Sequence, residues 1–404
     1  MSQRENVNPI REQNHRKNSR RYQKRAAARR RRNTIFIMEI VLLLILAVVL
    51  FFVSKLSKIE KTKLDMDKIE VNEDISQESQ KIMKGYQTIA MFGLDNRSNG
   101  NLSQGRSDVI MLANINNDTK EVKLVSVYRD TYLDTGDGIF QKCNAAYAKG
   151  GPEQAISMLN VNLDLNITDY VTVDFNSIIE CVDLLGGVDM EITDDEASLM
   201  TGYIRELNEL TGNKAENLTQ GGTYTLNGVQ ACAYARIRYG GGDDYRRTER
   251  QRTVLTAMVK KAQQSDLTTV NKLINEVCGD IQTSFSNAEL LALASQVFQY
   301  SIGDTTGFPF TKTTRVLSKK TGDVVIPCDL SDNVKELHIF LYEDSAYTAS
   351  DTVKQNSEKI VSDTGFKRRR TLKRRAAFRT LRNAAHIYFN PVDIGKNNVH
   401  RNCI

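Results

Sequence analysis

Residues 34–54, TIFIMEIVLLLILAVVLFFVS, constrain this chain more than any other feature, being apolar for about the length that a bilayer core requires. The one charge in the run, Glu39, sits near its start, where an acid can reach the headgroup layer. No small-residue cleavage site follows; the next residues are KLSKIEKTKLD, which argues for a retained anchor over a removable signal peptide. Residues 1–32 carry twelve Lys/Arg against Glu5 and Glu12. By the positive-inside rule that charge keeps the N-terminus cytoplasmic and places everything after Lys55 outside. The sequence thus predicts a basic cytoplasmic segment (1–33), a transmembrane helix (34–54) and a charged, proline-free stalk (55–84) before any folded domain.

Charge is uneven beyond that point as well. The tail 367–404 has eleven Lys/Arg against Asp393, so a net charge of +6 leaves the 334 residues between the two basic ends at −14. An acidic domain with basic ends gives no electrostatic footprint for nucleic acid, and no nucleic-acid partner is expected. The six cysteines (143, 181, 232, 278, 328 and 403) show no CxxC spacing, which leaves zinc and thioredoxin-like chemistry unsupported. Cys181 and Cys232 lie in apolar helical contexts and read as buried thiols. Cys278 and Cys328 are the pair to expect if this part is extracytoplasmic.

Hydrophobic periodicity orders the rest. Tyr86–Leu94, Asp108–Ile115 and Glu121–Tyr128 read as strands, with Asn116-Asn117-Asp118 as the turn between the last two. Cys143–Lys149 and Glu153–Leu163 read as helices, Tyr170–Phe175 as a strand, and Asn176–Leu185 as a helix stopped by Gly186-Gly187 before the strand Val188–Ile192. Glu196–Leu210, Gly228–Ala235, Arg247–Ala262, Leu273–Val277 and Ala288–Tyr300 continue as helices, with a short strand at Asp280–Ser284. Interleaved elements of this kind predict an α/β domain over 85–305, a mixed central sheet with helices on both faces. Residues 305–345 read as less regular, making 306–366 a C-terminal extension and 367–404 a basic tail.

The candidate chemistry sits where strands end in charge. VSVYRDTYL closes an apolar strand with Arg129-Asp130-Thr131, and AYARIRY sets Arg236 and Arg238 two apart. On an extended segment that spacing points both side chains the same way, toward one anion. Arg247 and Arg250 follow in DDYRRTERQR, and Asp95 and Asp108 lie in FGLDNR and GRSDVIML. Arginine forks match phosphate oxygens, and paired carboxylates beside phosphates hold magnesium, with manganese as an alternative. None of the four histidines (15, 338, 386 and 400) lies between residues 80 and 300, which disfavours a histidine base, a Ser-His-Asp triad or a histidine-ligated zinc. No GxxxxGK[ST] or GxGxxG follows a strand either. What remains is a pyrophosphate site built from arginine, aspartate and a divalent cation.

The ordered segments FGLDNR (92–97), GRSDVIMLANIN (105–116), VSVYRDTYL (125–133), KCNAAYAKGG (142–151), VDFNSIIECVDLLGGVDMEI (173–192), LNGVQACAYARIRY (226–239) and DDYRRTERQR (243–252) resemble the LytR–CpsA–Psr proteins of bacterial cell-wall assembly. The resemblance implies a phosphotransferase that takes a wall teichoic acid, capsular or similar glycopolymer from an undecaprenyl-pyrophosphate carrier. It would attach the polymer to peptidoglycan through a phosphodiester, at the cytoplasmic membrane. It further implies Asp95 and Asp108 as metal carboxylates, with Arg106 beside them. Arg106, Arg129, Lys142, Arg236, Arg238, Arg247 and Gln251 become pyrophosphate contacts; Arg129 and Arg247 are catalytic together with Asp244, the acceptor of the incoming hydroxyl's proton, with Asp243 able to trade places. The family usually has proline before the RDT arginine; here it is Tyr128. The apolar stretches 176–185 and 253–258 either line a long cavity for the carrier's tail or form ordinary core. A function of another class, a non-catalytic binder of polyprenyl phosphates that regulates envelope assembly or export, fits the same residues.

Overall fold

The structure, a computed structural model, describes residues 60–61, 64–94, 102, 105–238, 244–266, 269, 272–273, 281–286, 289–290, 292–293 and 296–366. Among these no helix is long and apolar enough to cross a membrane; the span expected at 34–54 and the tail 367–404 lie outside the described residues. In chain order the strands are β1 (Glu60–Lys61), β2 (Tyr86–Leu94), β3 (Ser107–Asn116), β4 (Glu121–Val127), β5 (Tyr132–Asp134), β6 (Phe140–Lys142), β7 (Asp169–Asp174), β8 (Val188–Ile192), β9 (Gly222–Leu226), β10 (Ile281–Thr283), β11 (Ser301–Phe308), β12 (Lys312–Ser318) and β13 (Gly322–Pro327). The helices are α1 (Gln77–Met83), α2 (Ala145–Leu163), α3 (Phe175–Leu184), α4 (Asp194–Thr211), α5 (Gly228–Arg236), α6 (Asp244–Gln264), α7 (Leu330–Tyr342) and α8 (Asp351–Thr364).

The central sheet runs in the order β1-β10-β7-β2-β3-β4-β11 and is mixed. β2 and β3 pair antiparallel, as do β3 and β4, while β2 with β7 and β4 with β11 are parallel. β2, β4, β7 and β11 therefore point the same way and end on one edge of the sheet. Alternation along β2 assigns the faces. Ala90, Phe92 and Leu94 join a core with Ile156 and Leu159 of α2 and with Leu337 and Ile360 of α7 and α8. Ile89 and Met91 face the other way, toward Leu255 of α6 and Phe285. Helices on both faces were expected, and this alternation is what requires them.

Several boundaries follow from local chemistry. Asn116 accepts from the backbone N–H of Asp118 and of Thr119, closing the turn into β4. α2 is kinked where Gly150 and Gly151 leave helical dihedrals, which is why the sequence reads as two helices there. Gly186 and Gly187 take φ of 77° and 91°, ending α3.

Three readings need correction. Residues 305–345 are regular: they contain the end of β11, the β12–β13 hairpin and α7. The boundary expected at 305/306 falls inside β11, and residues 308–360 contribute Phe308, Val324, Ile326, Leu330 and Tyr347 to the same core as α2. Short, half-exposed strands such as KTTRVLS carry too little alternation to announce themselves. Residues 64–84, read above as stalk, lie against the domain, where Ile75 and Met83 are buried in that core and Asn72 donates to Asp164. Parts of 273–277 and 288–300 fall outside the described residues; within the latter, 297–299 form a 3-10 turn.

Candidate active site

The shared edge of β2, β4, β7 and β11 gathers the charged residues. β4 ends at Val127 and delivers Arg129, while Asp108 opens the antiparallel neighbour β3, so the two meet across the sheet edge. Arg129 Nη1 donates to Asp108 Oδ1 at 2.7 Å, and its Nε lies 3.5 Å from Asp244 and 3.8 Å from Asp130. Asp244 begins α6 and is shared by Arg247 at 3.3 Å and Arg238 at 3.9 Å. Lys142, at the end of β6, reaches Asp130 at 3.1 Å. Four cations thus interlock with three carboxylates. Burial opposes the Arg129 charge, yet Asp108, Asp244 and Asp130 outweigh it and raise that group's proton affinity. Arg247 is 4% exposed, and burial, reinforced by Arg129 and Arg238 and opposed by Asp244, lowers it to about 10.

The loop that carries Arg129 is locked from beneath. Asn144 N–H donates to the Arg129 carbonyl at 3.1 Å, and Val325 N–H to the Asp130 carbonyl at 2.9 Å. The buried Cys143 thiol points at the carbonyls of Tyr128 and Arg129, 3.3 Å from each, and burial pushes its proton affinity up, so it serves as a neutral donor. Within and around the ion pairs some polar atoms lack a hydrogen bond. Nε of Arg129, Nε of Arg247, Oδ2 of Asp244 and Oε1 of Gln251 are buried without hydrogen bonds. Such atoms in one cluster mark a site arranged for a ligand.

The expected residues do not all converge. Arg129, Lys142, Arg238, Arg247, Asp108 and Asp244 come together, and Gln251 follows Arg247 by one helical turn. Arg106 is exposed just before β3. Asp95 and Asp243 lie outside the described residues. Arg236 departs: it is the last residue of α5, not part of an extended segment, and it pairs with Glu206 at 3.1 Å over the rings of Phe175 and Tyr203. Arg250 is likewise structural, held by Glu196 at 3.0 Å. The stretches 176–185 and 253–258 place Ile179, Val182, Val254 and Met258 in one buried cluster, the ordinary-core arrangement. Cys328 is buried and disulfide-bonded; Cys278 lies outside the described residues. Cys232 is buried as expected, and Cys181 only partly.

Among the described residues no three His, Cys, Asp or Glu side chains gather as a metal cluster, and the expected carboxylate pair is described only at Asp108. Asp108 keeps Oδ1 on Arg129, and no hydrogen bond to its Oδ2 occurs among the described residues. One or two hard oxygen ligands completed by phosphate are the usual complement of magnesium, so this donor fits that ion.

Lys312 was not foreseen, because nothing in β12 marks a residue that pairing brings to the site from so far along the chain. Its Nζ sits 4.9 Å from the Tyr128 ring and 4.6 Å from the Tyr245 ring, and donates to the Pro309 carbonyl at 3.1 Å. Those tyrosines flank Arg129 and Asp244 and meet edge to face at 4.6 Å. Gly307 makes room for them, since a Cβ there would lie 2.2 Å from the Tyr128 hydroxyl. The tyrosine that replaces the family's proline is therefore clamped by residues of its own chain.

Burial lowers the Lys312 ammonium to about 8. Between pH 8 and 10 the unfolded chain holds a proton there that the folded chain has lost, so this group's contribution to stability rises with pH. Above pH 10 the raised tyrosines act oppositely; burial lifts Tyr128 to about 12. Relative to Lys312→Met, the wild type should gain stability from pH 7.5 to 10 in denaturant midpoints. A constant difference across that range would show that the ammonium is not desolvated.

The LytR_cpsA_psr family matches residues 46–315 of the chain. Polyisoprenyl-teichoic acid–peptidoglycan teichoic acid transferase TagU of Enterococcus faecalis is 30% identical over 210 residues, 51% of this chain and 64% of its own length. TagV of Bacillus subtilis, which bears the same enzyme name, is 30% identical over 47% of this chain and 48% of its own. Biofilm regulatory protein A of Streptococcus mutans is 31% identical over 49% of each. The matches thus span about half to just under two thirds of these relatives. Among solved structures, that of B. subtilis TagV superposes with a TM-score of 0.51 at 24% identity, covering 66% of this chain and 99% of TagV. That of gbs0355 from Streptococcus agalactiae gives 0.51 at 22%, covering 78% and 99%. These likenesses establish the fold.

Proposed function

The chain belongs to the LytR–CpsA–Psr family, and from that premise we propose that it is a membrane-anchored phosphotransferase. Its donor is a glycopolymer on an undecaprenyl-pyrophosphate carrier, and its acceptor is a peptidoglycan hydroxyl. The observation that carries the reading is the convergence of Arg129, Arg238, Arg247 and Lys142 on Asp108, Asp130 and Asp244. TagU and TagV bear the name of such a transfer, which supports it.

In this reaction the acceptor oxygen attacks the phosphorus that bears the glycopolymer. A new P–O bond forms, the bridging P–O bond of the pyrophosphate breaks, and lipid monophosphate leaves. The hydroxyl proton passes to Asp244, the carboxylate at the centre of the arginines. Arg129, with Arg247 and Arg238, offsets charge building on the leaving phosphate. Lys142 and Asp130 hold each other at the rim. Four cations against three carboxylates leave one positive charge, which falls short of the two negative charges of a pyrophosphate diester. Magnesium, or manganese, held by Asp108 and Asp95 would supply the missing charge. The isoprenoid tail would run along the sheet face on which Met91, Val109 and Val171 remain partly buried. Residues 34–54 would anchor the chain, with 1–33 in the cytoplasm and the domain outside.

Full-length protein in detergent should release polyprenyl monophosphate from a pyrophosphate-linked donor, in step with polymer gained by peptidoglycan. EDTA should abolish release, and added magnesium should restore it. Donor binding without release would sink the enzymatic reading and favour the regulator. Release without acceptor would reduce it to hydrolysis.

A further inference from the structure

α6 has a second working face. Arg247 and Gln251 look toward the ion pairs, whereas Arg252, Thr256 and Lys260 recur at i, i+4 and i+8 on another side of the helix. That side borders a groove of about 470 Å³ whose opposite wall is the first half of β11, around Gly303 and Thr305. β11 ends at the arginine site, so the groove lies toward the other edge of the sheet.

Arg252 is the informative residue. It is 8% exposed, and its Nε and Nη1 are enclosed without a hydrogen bond. A buried guanidinium with two idle N–H groups is costly unless something completes it. Lys260 adds a second, exposed cation, while Lys261 is held by Asp189 at 3.3 Å. The remaining lining disfavours two ligand classes. Among the described residues its apolar side chains are Ala257 and Ile302, so an isoprenoid would strand the polar ones. Asp189 and Glu249 also line the groove and would repel a bare polyphosphate. Carboxylates, threonine hydroxyls and Gln264 instead suit a ligand rich in hydroxyl groups.

We propose that the groove between α6 and β11 binds an anionic glycan segment, a phosphodiester-linked sugar or polyol, with Arg252 and Lys260 on its phosphates. Eight residues of helix separate the two cations, about 12 Å along the axis, which suits a short oligomer better than one phosphate. The ligand class follows from the lining alone. That this ligand is the polymer being transferred rests on the transferase reading.

Binding of a fluorescent glycerol-phosphate hexamer to the full-length protein tests the groove without turnover. Arg252→Gln and Lys260→Gln should each weaken it about tenfold, and raised salt should weaken it further. Arg129→Ala should leave it within twofold. Lys260 is exposed, so its variant remains informative if Arg252→Gln folds poorly. The proposal is overturned by wild-type affinity in both groove variants. It is overturned equally by complete displacement with equimolar inorganic phosphate, which would mean a bare anion site, or by an equal loss in Arg129→Ala, which would place the hexamer in the first site. Hexamer binding with no lipid release in the transfer assay would sink the transferase reading and leave the groove standing.

Discussion

Arg129→Ala is expected to lower release of lipid monophosphate at least about 10³-fold, the largest loss from any single side chain in the site. Removing one donor aimed at developing charge typically costs about 10²–10³ in rate, and this guanidinium is shared among Asp108, Asp130 and Asp244 as well. Its loss leaves three cations against three carboxylates and takes from Asp108 its ion-pair partner, so the ligand's charge meets a neutral cluster where it met a cation. Breaking the Arg129–Asp108 pair should also lower stability, by about 3 kcal/mol if the cost matches that of breaking a buried pair. Rates must therefore be compared at equal folded fraction, fixed by denaturant midpoint. Arg129→Lys separates charge from shape: an ammonium restores one cation but not the fork. Rescue of stability without rescue of rate would assign the effect to the fork. Turnover above a tenth of wild type in Arg129→Ala would make the residue a structural tie only.

Much of this site was legible because it is local to strand ends. VSVYRDTYL announces a strand and its terminal arginine in one stretch, and the Asn116 turn fixes how β3 lies beside β4. From that pairing Asp108 and Arg129 must meet. Arg236 departs from the extended-segment argument for an equally local reason. α5 runs on to Arg236 with Ile237 as its cap, so the two arginines are separated by a helix end and not by a strand period. Lys312 and Tyr245 belong to the other class of information. Their meeting over Tyr128 depends on β11 pairing with β4, a contact between distant parts of the chain that no spacing encodes.

A chain ending at Thr305 should fail to fold, although the family match reaches only to residue 315. Such a chain loses the last residues of β11, among them Phe308, whose carbonyl accepts from Tyr128 N–H beside the site. It loses Val325, which fixes the Asp130 carbonyl, and Lys312 between the two rings. It also loses the buried Leu330, Val334, Leu337, Leu341, Tyr342, Val353 and Ile360. At about 1.5–3 kcal/mol for each large side chain, that burial is comparable to or above the whole net stability of a domain, about 5–15 kcal/mol. A polar network ties the same segment down. Asp164 is fully buried and accepts from Tyr347, from Ser350 N–H at 2.8 Å and from Asn72 at 2.6 Å, while His338 stacks on Tyr347 and bonds the Leu163 carbonyl at 3.0 Å. Truncation strands Asp164 as a charge with most of its donors gone, the costliest way to leave a carboxylate in a core. The expected result is the absence of a cooperative thermal transition in the truncated chain, with a sharp one in full-length protein. Asp164→Ala, which breaks the network but keeps the helices, should fall between them. A truncated chain that melts cooperatively near the wild-type temperature would mean that residues 306–366 are an extension outside the folding unit.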